Sequence, residues 1–114
     1  MSAITTHVLD TSTGSPASGL SVTLHRREDD GEWAELAKGT TDEDGRIGDL
    51  LPEARAVRPG TYRLTFATRA YFESKALPAF YPLVQVTFTI TDADQHYHVP
   101  LLLSPFGYST YRGS

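Results

Sequence analysis

The chain of 114 residues contains no cysteine. That excludes a disulfide framework, a thiolate nucleophile and a Cys-based zinc site, and it is compatible with a reducing compartment. A surplus of basic residues is missing too. Ten Lys and Arg against 14 Asp and Glu leave a net charge of −4, so no basic patch is on hand to neutralise nucleic-acid phosphates. No apolar run approaches the ~20 residues that a membrane-spanning helix needs. Met1 to His7 has neither the basic nor the apolar region of a secretory signal, and Arg112-Gly113-Ser114 is not a peroxisomal tripeptide. The expectation is a cytoplasmic protein with neither nucleic acid nor membrane as partner. Helical periodicity is also scarce. Residues 71–77 carry the only helical pattern, of one to two turns, and Pro78 stops it.

What the chain does have is alternation. Residues 3–9 place Ile4, Thr6 and Val8 on one side and Thr5, His7 and Leu9 on the other. Val22 and Leu24 alternate inward before a charged hairpin tip at residues 27–32, and residues 33–41 return. Asp42-Glu43-Asp44-Gly45 reads as a tight turn in which Gly45 supplies a positive φ. Arg46 leads from it into a short strand ending at Leu51, and residues 52–60 read as irregular. Residues 61–67 and 83–91 are clear strands, with Tyr62, Leu64 and Phe66, then Val84, Val86, Phe88 and Ile90, facing a core. Residues 96–103 follow, interrupted by Pro100, which suggests an edge or a bulge nearby. Residues 108–111 are the candidate last strand. About seven or eight short strands at close turn spacing read as an all-β sandwich of antiparallel pairs with Greek-key crossings. One domain spans residues 1–114, long enough to bury roughly two thirds of its unfolded surface.

Several residues could carry chemistry. His96 and His98 share one strand face, with Tyr97 on the other beside Val99 and Leu101. An H-x-H pair can ligate a metal, with His7 as a third ligand. The motif is short, and by itself it reads as two solvent-facing histidines on an antiparallel strand. The chain ends in Tyr108-Ser109-Thr110-Tyr111-Arg112-Gly113-Ser114 directly after an apolar run, with no linker. Such an end either packs on its own domain or presents tyrosine, guanidinium and carboxylate to a site.

These segments resemble the signatures of the transthyretin-related family. The first lies in the opening strand and loop from Ile4 to Ala17. The second runs from His96-Tyr97-His98-Val99-Pro100-Leu101 to the end. The terminal Tyr111-Arg112-Gly113-Ser114 resembles the 5-hydroxyisourate hydrolases, the enzyme branch of that family. The resemblance covers the whole chain. It implies a transthyretin (prealbumin)-like β-sandwich of two four-stranded sheets with one short helix, and a homotetramer, a dimer of dimers, with active sites in the channel where the dimers meet. It implies hydrolysis of 5-hydroxyisourate to 2-oxo-4-hydroxy-4-carboxy-5-ureidoimidazoline in urate degradation, with no metal or organic cofactor. The family's site falls on His7, Arg46, His98, Tyr111 and Ser114, all present here. By this reading His7 and His98 are candidates for both proton steps, Arg46 is a fixed charge for the substrate anion and the oxyanion, and Tyr111 and Ser114 orient substrate or water.

Three other readings compete. A transthyretin-like carrier would bind a small aromatic ligand without turnover, but has no need of His7, Arg46 and His98. A prealbumin-like stalk module would share the Asp42-Glu43-Asp44-Gly45 turn and the Pro59-Gly60-Thr61-Tyr62 strand start, but not the terminal motif. A metal-dependent hydrolase would use His7, His96 and His98.

Overall fold

Residues that alternate in sequence alternate in burial, and two sheets result. The computed structural model describes residues 3–48, 50–51 and 57–113. In chain order the elements are β1 (Ile4–Asp10), β2 (Ser15–Pro16), β3 (Ser21–Arg27), β4 (Trp33–Thr40), β5 (Arg46–Ile47), β6 (Gly60–Phe66), α1 (Thr68–Glu73), β7 (Val84–Ile90), β8 (Tyr97–Ser104) and β9 (Gly107–Thr110). One sheet runs β2-β1-β8-β9, with β5 also paired to β1. The other runs β4-β3-β6-β7. Ile4, Val8, Leu101 and Leu103 from the first sheet join Val22, Leu24, Tyr62, Leu64 and Phe66 from the second in one buried cluster. Each such side chain contributes about 1.5–3 kcal/mol by leaving water. Among the described residues no helix is long and apolar enough to cross a membrane.

Three expectations about the strands are corrected. The sandwich is not wholly antiparallel: β1 and β8 pair in parallel, with Thr5 opposite His98 and His7 opposite Pro100. Pro100 therefore sits in an interior strand, between β1 and β9. Its missing N–H is tolerated beside a gap in the β8–β9 ladder. That ladder pairs Leu101 with Thr110 and resumes only at the His98–Gly113 bridge. The strand after Arg46 ends at Ile47 rather than Leu51, although Leu50 and Leu51 stay buried. Of the irregular stretch 52–60, residues 52–56 lie outside the described residues.

The helix begins and ends earlier than its sequence pattern suggests. Ala76 adopts a left-handed conformation at φ 57°. Its N–H bonds the Glu73 carbonyl and that of Leu77 bonds Phe72, both at 3.0 Å. This Schellman pattern closes the last turn before Pro78 is reached. Tyr71 fixes the helix to the first sheet, its hydroxyl donating to Asp10 Oδ2 at 2.9 Å. Burial, with the Asp10 carboxylate beside it, pushes that hydroxyl well above its ordinary pKa, so it remains a donor.

Candidate active site

With Ile4, Thr6, Val8, Tyr97, Val99 and Leu101 turned inward, the intervening residues of β1 and β8 face out. Thr5, His7 and His98 are half-buried there. The parallel register sets Thr5 beside His98, and β5 sets Arg46 beside His7 from the other side. β1, β8 and one tight turn thus meet on a single sheet face. Thr5, Thr6, Arg46, Ile47, His96 and His98 line a cleft of about 310 Å³ there.

The turn before Arg46 is built for close approach. Asp42 Oδ1 accepts from the N–H groups of Asp44 (2.9 Å) and Arg46 (3.0 Å), which explains the acidic residue without any ion. Gly45, at φ 74°, lies flat on β1, and its carbonyl accepts from Val8 N–H at 2.8 Å. A Cβ there would press on the Val8 carbonyl oxygen and on Pro16. Gly45→Ala is expected to cost about 2–4 kcal/mol from the left-handed backbone and the overlap together, measurable by urea denaturation. A cost below about 1 kcal/mol would mean that the turn shifts freely and does not fix Arg46.

His98 stands at the centre of the group. Burial first, then the charge of Arg46 and the neighbouring His96 and His7, hold its imidazole below the ordinary histidine pKa, which favours the neutral ring near pH 7. Its Nδ1 lies 2.9 Å from Thr5 Oγ1, and His96 Nε2 lies 2.9 Å from the same oxygen. The segment at Arg112 and Gly113 closes over it. Gly113 N–H donates to the His98 carbonyl at 2.8 Å. A Cβ on Gly113 would lie 2.5 Å from His98 Cδ2, so only glycine fits against the ring. Arg112 holds this segment, its guanidinium 4.6 Å from the Tyr97 ring centroid and its Nη2 donating to Gln95 Oε1 at 2.8 Å.

The structure thus brings His7, Arg46 and His98 together. It sets Tyr111 elsewhere: 59% exposed, that residue lines a second cleft of about 420 Å³ with Phe88, Tyr97, Val99 and Arg112, which shares His98 with the first. Ser114 lies outside the described residues. Among those described, no three His, Asp or Glu side chains are grouped as metal ligands. Sequence reasoning missed Thr5 and Gly113. An outward threonine on a strand is commonplace, and only the parallel register puts this one against two histidines.

The chain matches the family described as HIUase/Transthyretin over residues 4–113. The 5-hydroxyisourate hydrolase of Salmonella dublin is 53% identical over 111 residues, covering 97% of this chain and 80% of the relative. That of Mus musculus is 50% identical over 114 residues, covering 99% and 96%. The structure of Klebsiella pneumoniae 5-hydroxyisourate hydrolase superposes with a TM-score of 0.84 at 39% identity, over 97% of this chain and 98% of that one. Sea bream transthyretin in complex with thyroxine superposes with a TM-score of 0.92 at 32% identity, over 98% and 95%. Backbone shape therefore does not separate hydrolase from carrier, and the side chains must.

Proposed function

The chain belongs to the HIUase/transthyretin family, and from that membership we infer that it is a 5-hydroxyisourate hydrolase. It opens the cyclic amide of 5-hydroxyisourate with water to give 2-oxo-4-hydroxy-4-carboxy-5-ureidoimidazoline. The observation that carries the choice between hydrolase and carrier is the cluster of His7, Arg46 and His98 on one sheet face. Such a concentration of cationic and basic groups suits an anionic substrate and a developing oxyanion, and has no use in holding an apolar ligand.

In the proposed mechanism His98 takes a proton from water, and the resulting hydroxide adds to the ring carbonyl carbon. Arg46, permanently charged, holds the substrate anion and the tetrahedral oxyanion. As the intermediate collapses the carbon–nitrogen bond breaks, the carbon becomes the carboxylate and the nitrogen takes a proton from His7. The rigid strands hold these groups in place beforehand, so little ordering remains for the reaction itself. Tyr111 and Ser114 are proposed to orient substrate or water from the terminal segment. The packing of Gly113 on His98 supports that role by bringing the terminal segment to the proposed base. Product identity tests the reading. With carbon-13-labelled substrate the ureidoimidazoline carboxylate should build up in NMR spectra before its own decay. A carrier would give a stoichiometric bound substrate and carboxylate no faster than without protein.

The working unit is proposed to be a homotetramer, a dimer of dimers, of single-domain subunits in the cytoplasm. The free edge of β7 supports self-pairing. Its seven residues, Val84-Gln85-Val86-Thr87-Phe88-Thr89-Ile90, include no charge and no proline to block an approaching strand. Outward Leu9 and Leu102, paired in register, give the site face an apolar border. Light scattering should give a mass near four times the 12.5 kDa chain. Thr87→Lys, which two-fold pairing of β7 would set near its own copy, should lower that mass. A wild-type monomer would contradict the assembly.

A further inference from the structure

Thr5 Oγ1 lies 2.9 Å from His98 Nδ1 and 2.9 Å from His96 Nε2. A hydroxyl has one hydrogen, so it can donate to only one of the two rings. The other bond needs an imidazole N–H pointing at the oxygen. The three groups therefore form a directional chain, and reversing it reverses the protonation of His98 Nε2, the nitrogen left for reacting water. Thr5 and His98 are half-buried, whereas His96 is exposed.

We infer that Thr5 and His96 form a proton path that connects His98 to solvent. This rests on the hydrolase reading above and adds two positioning residues to it. In one state His98 Nδ1–H donates to Thr5, the threonine hydroxyl donates to His96 Nε2, and His98 Nε2 is bare. When Nε2 takes a proton from water, Nδ1–H passes to Thr5, the threonine hydrogen passes to His96 Nε2, and the Nδ1 proton of His96 leaves for bulk water. One proton enters and one leaves, and every ring ends neutral.

The surroundings give the path a purpose. Among the described residues, the groups facing His98 are Arg46 from β5, His7 and Thr5 from β1, His96 from its own segment, and the Gly113 backbone from the tail. None of these side chains is a carboxylate that would stabilise an imidazolium. A proton stranded on His98 beside the Arg46 charge would be costly, and a path through Thr5 removes it. Tyr97 keeps the outer end in place. Its hydroxyl donates to the Asp92 carbonyl at 3.1 Å and accepts from Asp92 N–H at 3.1 Å, closing the turn that delivers His96.

The test uses full-length wild type, Thr5→Val, Thr5→Ser and His96→Ala, with steady-state rates at rising concentrations of imidazole buffer. Thr5→Val keeps the shape and removes the hydroxyl. It should lower kcat about tenfold, part of the about 10²–10⁴ that general acid–base catalysis supplies, and leave KM nearly unchanged. Thr5→Ser should restore most of the rate. His96→Ala, at an exposed position, should be slow in weak buffer and recover as imidazole replaces the missing ring, while Thr5→Val should not recover. Wild-type kcat in both Thr5→Val and His96→Ala overturns the path. So does a Thr5→Ser loss equal to that of Thr5→Val, or a His96→Ala deficit that buffer leaves untouched. Imidazole NMR titrations keep this separate from the hydrolase reading. The His98 midpoint should move in His96→Ala, and its response to His96 should shrink to the through-space charge effect once Thr5 is Val. Independent titration of the two rings in wild type overturns the path whatever the substrate is, whereas absent turnover with linked titrations overturns the hydrolase reading alone.

Discussion

Arg46→Gln is expected to lower kcat/KM for 5-hydroxyisourate by about 10²–10³-fold, the range measured when one oxyanion-stabilising donor is removed elsewhere. The side chain is exposed and outside the core, so thermal stability should barely move, and activity loss with an unchanged melting curve is the diagnostic pair. Arg46→Lys should recover only part of the rate. Lysine keeps the charge but not the planar fork that can hold an anion at two points. A second effect follows from the same charge. After burial, Arg46 is the largest influence holding His98 below its usual pKa. Arg46→Gln should therefore move the acidic limb of the pH–rate profile to higher pH. A loss of rate without any movement of that limb would mean that Arg46 and His98 do not share a site.

His98→Asn should remove about 10²–10⁴-fold of the rate, the usual contribution of general acid–base catalysis. The sign of the pH dependence follows from the lowered pKa. A base held below the ordinary histidine value of about 6.5 stays unprotonated further into acid. In wild type, the acidic limb of kcat/KM should be centred below about 6.5, and it should vanish in His98→Asn. An acidic limb centred above 6.5 would assign the titration to another group. Asparagine occupies similar space and keeps one nitrogen near the Thr5 hydroxyl, so the Gly113 segment should still close over the position. Fold stability measured by denaturation should confirm this independently of rate.

Much of this was legible from residue order, and what was not has definite physical reasons. Strand faces follow from alternation, because a side-chain period of two admits only two faces. Ile4, Thr6 and Val8 turn inward as expected, and so do Tyr62, Leu64 and Phe66. The pairing of β1 with β8 joins residues from opposite ends of the chain, and no local signal states its direction. The parallel register was therefore missed, and with it the role of Thr5. Pro100 misled for a related reason. Proline marks a place where a ladder lacks a donor, and an edge is only the commonest such place. Here the lapse in pairing opposite Tyr111 and Arg112 serves equally well. The helix boundary slipped because Ala76 takes a conformation that sequence favours at glycine or asparagine.

His7, Arg46 and His98 were found through family resemblance, not through their own pattern. H-x-H on a strand is a weak motif, and an arginine after a glycine turn is usually a solvated charge. The geometry supplies the missing argument: His7 and Arg46 share a register position, and His98 lies within electrostatic reach of both. The terminal segment joins them by a different physical route. Gly113 has no Cβ to collide with the His98 ring, so the segment before the last residue can pack against that imidazole.

The most direct measurement is the loss of near-ultraviolet absorbance of freshly made 5-hydroxyisourate, generated from urate and urate oxidase, with and without micromolar wild-type protein. Decay should be much faster with the protein, in proportion to its concentration, and should fall most of the way to the spontaneous rate when His98→Asn is substituted. Decay at the spontaneous rate with folded wild-type protein would contradict the hydrolase assignment.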